Sequence, residues 1–482
     1  MKRILVAGLA GLACSCALFG QNETDALRYS QTGFGGTARF SGMAGAFGAV
    51  GADVSSFNIN PAGLGLYHKS ELVFTPSFFS QNVNSTYNGT QSLDSRYNFR
   101  FDNFGVVFAG KTSNESETGW QNASMGITYN RTTTFEANLN MKGVSSTSML
   151  DSWARSAHGT GPSQLDPFNE GLAWNAWLLN TVPGDTTKYT DVIPDNDPLN
   201  QDKAINMRGG MGEWLFDVAG NYSNKLYIGG AISVTTLRYE ENSDYTEQEV
   251  VDSTSHFNYL KFTQLLTTQG KGFAFKAGVI YRPMDMVRVG FSFQSPTILR
   301  LSDAWQSSMY SVLTDSIYNV ASPEGNFNYT IRTPMRATAS AALIFGKSGM
   351  VSVDYEIVDY SSAIIKSTQY SFANENAAIK DKYTMANNVR IGGEYRLLPL
   401  VLRAGVGYYG SPYKPSINNN AAKLYFTGGV GYRDPDDQFY VDLAAITSHE
   451  ISNYYFYDQS LVNPVKNAWN SLDVVLSIGF RY

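Results

Sequence analysis

The chain has few charged residues and few of the residue types that nucleophilic and metal chemistry use. Only 16% of its 482 residues are charged, and it has two cysteines and four histidines. The histidines show no metal-ligand spacing and no H-E-x-x-H pattern, and no G-x-S-x-G motif occurs. The net charge of −6 is of mixed sign, unlike a surface that tracks phosphates. We therefore expect no enzyme, no cofactor, no metal site and no nucleic-acid partner.

A long apolar run is also missing beyond the N-terminus. Lys2-Arg3 precede an apolar run over residues 4–18, and both cysteines, Cys14 and Cys16, lie in it. This pattern predicts a cleaved signal peptide over residues 1–20 and export from the cytoplasm. A lipoprotein acylated on either cysteine is the alternative, although neither follows a convincing Leu-small-small triplet. Since no later segment is long enough to cross a bilayer as a helix, a membrane location would require a β-barrel.

The hydrophobic pattern has a period of two residues, which is typical of strands. Apolar residues alternate with glycines, polar and charged residues over 226–235, 273–282, 287–294, 351–357 and 389–395. About fourteen such segments occur, and short turns alternate with long connections between them. The last segment ends in the aromatic Tyr482. This combination predicts an all-β fold, a transmembrane antiparallel barrel over residues 68–482 with its short turns in the periplasm, rather than a soluble sandwich.

Residues 21–67 differ from the rest, because small residues dominate them. Phe40, Met43 and Phe47 have helical spacing within residues 38–50, and Asp53 can cap a second short helix that Pro61 would end. A barrel of about fourteen strands has a lumen too wide for its wall side chains to fill. We therefore expect residues 21–67 to form a helical hatch that plugs the lumen.

The stretch from Gly33 to Ala46, together with Asn60-Pro61-Ala62-Gly63-Leu64, resembles the N-terminal hatch of the FadL-type outer-membrane transporters for long-chain fatty acids and aromatic hydrocarbons. The resemblance implies passive uptake of a hydrophobic ligand, which extracellular loops capture and which leaves sideways through the wall where the third strand kinks. It places transport residues in the hatch at Asn60, Pro61, Ala62, Phe34 and Phe40. The third strand would cover about residues 121–138, with Gly126 as the candidate for the gap. Expected partners are outer-membrane lipid and, during biogenesis, the barrel-assembly machinery, for a chain expected to be monomeric in the outer membrane of a Gram-negative cell.

The largest predicted loop, about residues 141–212, carries an unusual apolar load. Trp153, Trp174, Trp177 and Leu178 either form the core of a lid or line a groove that captures an amphiphile. Inward cations either pair with the plug and with one another or hold a ligand carboxylate; they are Lys276, Arg288, Arg336, Arg390 and Arg403. An acidic loop at Asp195, Asp197 and Asp202 departs from EF-hand spacing and favours a solvated loop over a Ca²⁺ site.

Three alternatives to import remain open at this stage. Relatives of this fold serve a secretion system as a shuttle, and relatives of this size are sometimes labelled haemin receptors, for which His158 or His256 would supply a ligand. A plain hydrophilic pore is the third alternative. A hatch predicts ion conductance only after deletion of residues 21–67, whereas a pore predicts it in the intact protein.

Overall fold

The computed structural model describes residues 21–111, 118–250 and 256–482. The helices are α1 (Glu23–Arg28), α2 (Ala38–Ser41), α3 (Met149–Ala157), α4 (Glu170–Asn175) and α5 (Ala373–Lys382), with 3₁₀ turns at Val54–Asn58, Pro61–Leu66, Pro162–Gln164 and Tyr360–Ser362. Among these described residues, no helix is long and apolar enough to cross a membrane.

The strands form one closed antiparallel barrel and one small hairpin. They are β1 (Glu71–Tyr87), β2 (Thr90–Lys111), β3 (Trp120–Thr134), β4 (Ala137–Ser145), β5 (Leu179–Val182), β6 (Asp185–Asp191), β7 (Leu199–Tyr222), β8 (Leu226–Glu249), β9 (Phe257–Met284), β10 (Val287–Gln294), β11 (Ile298–Leu313), β12 (Ser316–Ala321), β13 (Gly325–Arg332), β14 (Arg336–Phe345), β15 (Gly349–Asp359), β16 (Ile364–Lys366), β17 (Met385–Leu397), β18 (Leu400–Tyr409), β19 (Lys423–Arg433), β20 (Phe439–Tyr454) and β21 (Val465–Arg481).

Fourteen strands cross the wall, because three of the crossings are each built from two strands of this series. The pairs β3/β4, β10/β11 and β13/β14 each continue one crossing, and β1 closes the barrel by pairing with both β2 and β21. The predicted fold class and strand number are confirmed.

The wall separates apolar and polar side chains as the alternation predicts. On β8, Ile228 and Ile232 face outward and are each 47% exposed, whereas Ala231 and Ser233, on either side of Ile232, are buried. Glycines and charged residues fill much of the inner face. Short turns and the C-terminal Tyr482 lie at one end, and the long connections lie at the other, which we orient toward the cell exterior.

The hatch has less helix than its sequence suggests. Helix α2 ends at Ser41, because Ala44 and Gly45 adopt left-handed backbone angles, with φ of 53° and 71°, that no helix accommodates. Pro61 does not only stop a helix; it begins the 3₁₀ turn Pro61–Leu66, with Asn60 as its N-cap.

The lid is also smaller than the predicted loop. The wall continues upward as β4 pairs with β7 as far as Ser145 opposite Leu199, so the lid covers only residues 146–198. Ladder hydrogen bonds thus satisfy backbone groups that the sequence assigned to a loop.

Candidate functional site

Asn60 joins the hatch to the barrel wall. Its side-chain oxygen accepts a hydrogen bond from the Ala62 backbone N–H at 3.1 Å. Its amide nitrogen donates to the Gly48 carbonyl at 2.7 Å and to the Val279 carbonyl of β9 at 3.2 Å. All three partners are backbone groups of the hatch or the wall, and the Asn60 residue is only 1% exposed. Asn60 therefore fixes the turn itself, the preceding hatch segment and the wall in one arrangement.

The wall makes room for this turn with glycines. A Cβ on Gly229 of β8 would lie 2.5 Å from the Pro61 carbonyl carbon, and a Cβ on Gly278 of β9 would lie 1.9 Å from the Asn60 side-chain oxygen. Gly290 of β10 stands in the same relation to the Gly48 carbonyl, at 2.4 Å. Inward glycines therefore form a recess in which the hatch backbone sits directly on the sheet.

The five inward cations of the sequence analysis all contact the hatch backbone or carboxylates of the wall. Lys276 donates to Glu213 and to the Asn58 carbonyl, and Arg288 donates to the Val50 carbonyl. Arg336 bridges Glu356 and the Ser30 carbonyl, while Arg390 lies between Asp354 and Glu356, and Arg403 between Glu394 and Asp442. These pairs account for the inward charges structurally, without a ligand.

Two hatch carboxyl groups have raised pKa values. Burial raises the pKa of Asp53 to about 6, although nearby Arg39 opposes the shift. Burial also raises the pKa of Asp25 to about 7 against the effect of Arg28, which lies 2.7 Å from it. Parts of the hatch are therefore expected to change charge near neutral pH.

The aromatic hatch residues occupy different environments. Phe40 is fully buried against Phe47, with ring centroids 5.4 Å apart, so it belongs to the hatch core. Phe34 packs edge-on against Tyr425 of β19 at 4.9 Å and lines a cavity of about 310 Å³ between hatch and wall. Of the two, only Phe34 borders space that a ligand could enter.

The wall is interrupted beside the third crossing. Strand β2 pairs with β1 from Thr90 at its upper end down to Val107, but it pairs with β3 only between Asn103 and Lys111. Above that point, no ladder joins β2 to β4 among the described residues. Side chains bridge them instead: Arg96 contacts Glu136 at 3.0 Å, and Asn138 donates to the Ser95 carbonyl at 3.0 Å.

A bulge in the third crossing accompanies this interruption. The register of β3 against β7 shifts between Arg131 and Thr133, and residues 135–136 separate β3 from β4. Phe135 turns inward, where its ring packs against Tyr29 at 6.0 Å and Tyr239 at 5.1 Å. Odd-numbered residues consequently face outward below the bulge and inward above it, with Met125 62% exposed and Met141 fully buried.

Hatch residues 31–35 lie directly behind the bulge. Gly33 donates its backbone N–H to the Thr132 carbonyl at 2.9 Å, and the Thr133 hydroxyl donates to the Gln31 carbonyl at 3.0 Å. A Cβ on Gly35 would lie 2.0 Å from the Arg131 carbonyl oxygen. The hatch and the irregular part of the wall are therefore in contact along the backbone.

A recess outside and the cavity inside meet at this place. The outer recess, about 470 Å³, is lined by Phe99, Glu136 and neighbours, and the inner cavity by Phe34, Tyr409 and neighbours. Arg100 and Arg131 line both. The recess and the cavity therefore lie on the two sides of one thin portion of the wall. We term this portion the aperture and define it by Arg100, Arg131 and Glu136.

Charged groups line the aperture. Asp102 lies 3.4 Å from Arg100 and 3.5 Å from Arg131, and Arg100 also contacts Asp473. The Arg100 guanidinium stands over the Phe79 ring at 4.3 Å. The aperture therefore combines aromatic surface with paired guanidinium and carboxylate groups.

Gly126 lies away from this place. It pairs with Val107 on one side and Asp217 on the other, in uninterrupted parts of both ladders. A Cβ there would lie 3.1 Å from the Phe57 ring of the hatch. The sequence located the third crossing but not the aperture residues, which occur five to ten positions later and on β2.

The apolar lid residues divide into core and surface. Trp153 and Leu178 are buried in a cluster with barrel-rim residues, and the Trp153 ring meets Phe262 of β9 at 5.0 Å. Trp174 is partly buried beside Tyr189, whereas Trp177 is 58% exposed. Most of the apolar load thus closes the barrel top, and Trp177 alone of these four is presented to solvent.

No group of three potential metal-ligating side chains occurs in the described part of the chain. The His158 ring accepts a hydrogen bond from the Tyr189 backbone N–H at 3.3 Å, which gives it a structural partner within the lid.

Comparison with known proteins agrees with this architecture. Residues 224–463 match the model of the outer membrane protein transport protein family (OMPP1/FadL/TodX). The chain belongs to this family. A Pseudomonas aeruginosa FadL homologue has 12% identity and a TM-score of 0.56, over 93% of this chain and 98% of that one. For the Pseudomonas putida toluene transporter TodX the values are 12% and 0.53, over 93% and 99%. For the Ralstonia pickettii toluene transporter TbuX they are 15% and 0.50, over 93% and 99%. No curated protein matches.

Membership of the FadL/TodX family establishes an outer-membrane transporter of hydrophobic compounds. It is a family of transport channels, in agreement with the prediction that the chain is not an enzyme. At such low identity, the structural likeness shows the fold alone.

Proposed function

We propose that this protein takes up amphiphiles with an acidic head and a hydrocarbon tail, such as long-chain fatty acids, without an energy source. The ligand enters beneath the lid, reaches the inner cavity beside Phe34, and leaves sideways through the aperture into the membrane. The missing ladder between β2 and β4, with cavities on both sides of it, is the observation that supports this route.

The chemistry of the route supports an acidic head rather than a purely apolar molecule. The inner cavity is lined by aromatic rings, including Phe34 and Tyr425, and also by Arg100 and Arg131. Arg100 is already paired with Asp102 and Asp473, but its Nη1 makes no hydrogen bond with the described residues, and a ligand carboxylate can accept one from it. Wall strands held only by side chains can separate without breaking a backbone ladder, because their ion pair and hydrogen bonds are individually weak.

The experiment is a reversible cross-link across the aperture. Ser95→Cys with Asn138→Cys joins β2 to β4 where Asn138 now bonds the Ser95 carbonyl. Phe104→Cys with Tyr129→Cys is the matched control, because these residues pair in the intact ladder of β2 and β3 below. We expect oxidation of the first pair to reduce uptake of radiolabelled oleate at least fivefold and a thiol reductant to restore it, with the control pair unchanged.

Undiminished uptake in protein shown by gel to be fully cross-linked at the first pair would contradict the lateral route. A secretion shuttle predicts that the cross-link has no effect because there is no uptake to lose: cells with the protein would take up no more oleate than cells lacking it. A hydrophilic pore would instead conduct ions in the intact protein.

A further inference from the structure

One side of the barrel carries a row of outward-facing cations on neighbouring strands. They are Arg208 on β7, Arg238 on β8, Lys271 on β9, Arg300 on β11, Arg332 on β13 and Lys366 on β16, and all six are exposed. We call these six residues the basic band. By contrast, β18 presents only apolar or small residues outward, among them Leu402 and Val406. The band therefore gives this face of the barrel a positive charge that the face at β18 lacks.

Strand register aligns three members of the band. Lys271 lies directly opposite Arg300, Arg300 opposite Thr330, and Thr330 opposite Lys366. With neighbouring strands about 4.8 Å apart, these residues span roughly 14 Å across the sheet. Like charges directly opposite each other destabilise a sheet unless something neutralises them. A bound anion would neutralise the repulsion between these cations.

The protein supplies little negative charge of its own here. Arg238 contacts Glu240 at 2.5 Å, but Lys271, Arg300, Arg332 and Lys366 make no ion pair with any residue that the structure describes. An open groove of about 610 Å³ runs between Arg300 and Lys366. Its other lining residues are neutral, and Ser302, Asn328 and Thr330 add hydroxyl and amide groups that can donate hydrogen bonds.

The band lies at the upper edge of the lipid-facing surface. The outward residue below Lys271 on β9 is Phe273, which is 54% exposed, and the one below Arg300 on β11 is Ile298, which is 42% exposed. Arg332 lies one outward position lower, directly opposite Ile298, and the next exposed apolar side chain below it is Met335, at 58%. The cations therefore stand where acyl chains end and headgroups begin, on the side away from the short periplasmic turns.

We propose that the basic band binds the phosphate groups of anionic lipid headgroups in the outward-facing leaflet, while the aromatic surface below it contacts their acyl chains. Arginine forks and lysine point charges both suit phosphate oxygens. Free phosphate offers the same head chemistry, but it has no tail for Phe273 and Ile298 to contact. This site lies on the outer wall, so it does not depend on what passes through the lumen.

The test is lipid binding by the full-length purified protein in a mild detergent, read by native mass spectrometry. The probes are diphosphoryl lipid A, the same lipid after enzymatic removal of both phosphates, and inorganic phosphate. The variant combines Lys271→Gln, Arg300→Gln, Arg332→Gln and Lys366→Gln. A matched control removes four exposed lysines that lie outside the band, with Lys142→Gln, Lys188→Gln, Lys380→Gln and Lys466→Gln.

We expect the band variant to bind diphosphoryl lipid A at least tenfold more weakly than the wild type, and the control to bind it normally. The dephosphorylated lipid should bind the wild type as weakly as the intact lipid binds the variant. Equal binding by variant and wild type, or equal binding of the two lipids, would overturn the proposal. Inorganic phosphate that bound the band as tightly as the lipid would replace the lipid assignment with a free-anion site. Heat-modifiable gel mobility shows that each variant has folded.

Discussion

Gly229→Ala tests whether close backbone contact seats the hatch. The new Cβ would lie 2.5 Å from the Pro61 carbonyl carbon and 2.6 Å from the Ala62 nitrogen, whereas an ordinary contact begins at 3.4 Å. Because these are backbone atoms, the turn must move by about 1 Å. Such a shift stretches the 3.2 Å bond from Asn60 to Val279 beyond hydrogen-bond range. Overpacking and a lost buried hydrogen bond together cost about 3 kcal/mol.

This cost should appear as faster amide hydrogen exchange in residues 54–66, by about 100-fold if exchange follows local release of the hatch, since 1.4 kcal/mol is one factor of ten. Gly230→Ala is the control, because its Cβ would face outward with its nearest neighbour, the Lys276 carbonyl oxygen, at 3.7 Å. Both variants should keep heat-modifiable mobility. Wild-type exchange in Gly229→Ala would show that the glycine recess does not hold the hatch, and would refute the reasoning.

Two further predictions concern the hatch. Asn60→Ala removes the bonds to Ala62, Gly48 and Val279, so we expect reduced oleate uptake with normal barrel assembly; unchanged uptake would remove this turn from the transport mechanism. The pKa of Asp25 is raised to about 7 from an ordinary 3.8, so the folded hatch binds this proton more tightly than the unfolded chain does, and its stability should fall as pH rises from about 4 to 7. Exchange protection of residues 21–31, corrected for the intrinsic rate, should therefore be greater at pH 5 than at pH 8, and Asp25→Asn should abolish the difference; greater protection at pH 8 would contradict the assignment.

The barrel could be predicted from sequence because lipid imposes one rule on every crossing. Each outward position must be apolar while the inward positions carry glycine or charge, so residues 226–235 and 389–395 show the same alternation although they share no motif. The hatch was also predictable, since a wide lumen requires filling and residues 21–67 precede the first strand, lack the alternation and are rich in small residues. The barrel wall is thus predictable because lipid surrounds it, and the hatch because the lumen has a volume that must be filled.

The aperture escaped prediction for a specific reason. Apolar residues occupy odd positions on both sides of the bulge, from Met125 and Ile127 below it to Leu139 and Met141 above it, with Arg131 and Thr133 between them. The bulge at residues 131–136 reverses the face that odd positions occupy, but above the membrane the interior of the lid becomes the apolar side. The two reversals cancel, so the apolar residues above the bulge keep the odd positions that they have below it. A change of environment can thus conceal a bulge from any argument based on period alone.

The hatch has a firmly held part and a loosely held part, and this difference bears on the passive transport that we propose. Ion pairs and glycine recesses hold residues 36–66, as Arg39 with Glu394 and Asn60 with Val279 illustrate. Residues 31–35 are half-buried apart from Phe34, and two hydrogen bonds join them to the third crossing, through Thr132 and Thr133. Breaking these two bonds costs about 2 kcal/mol, which thermal motion supplies readily, whereas withdrawing the whole hatch would expose several buried charges. In the proposed route, a ligand beside Phe34 would therefore displace only residues 31–35, next to the aperture, while residues 36–66 stay in place and keep the lumen filled.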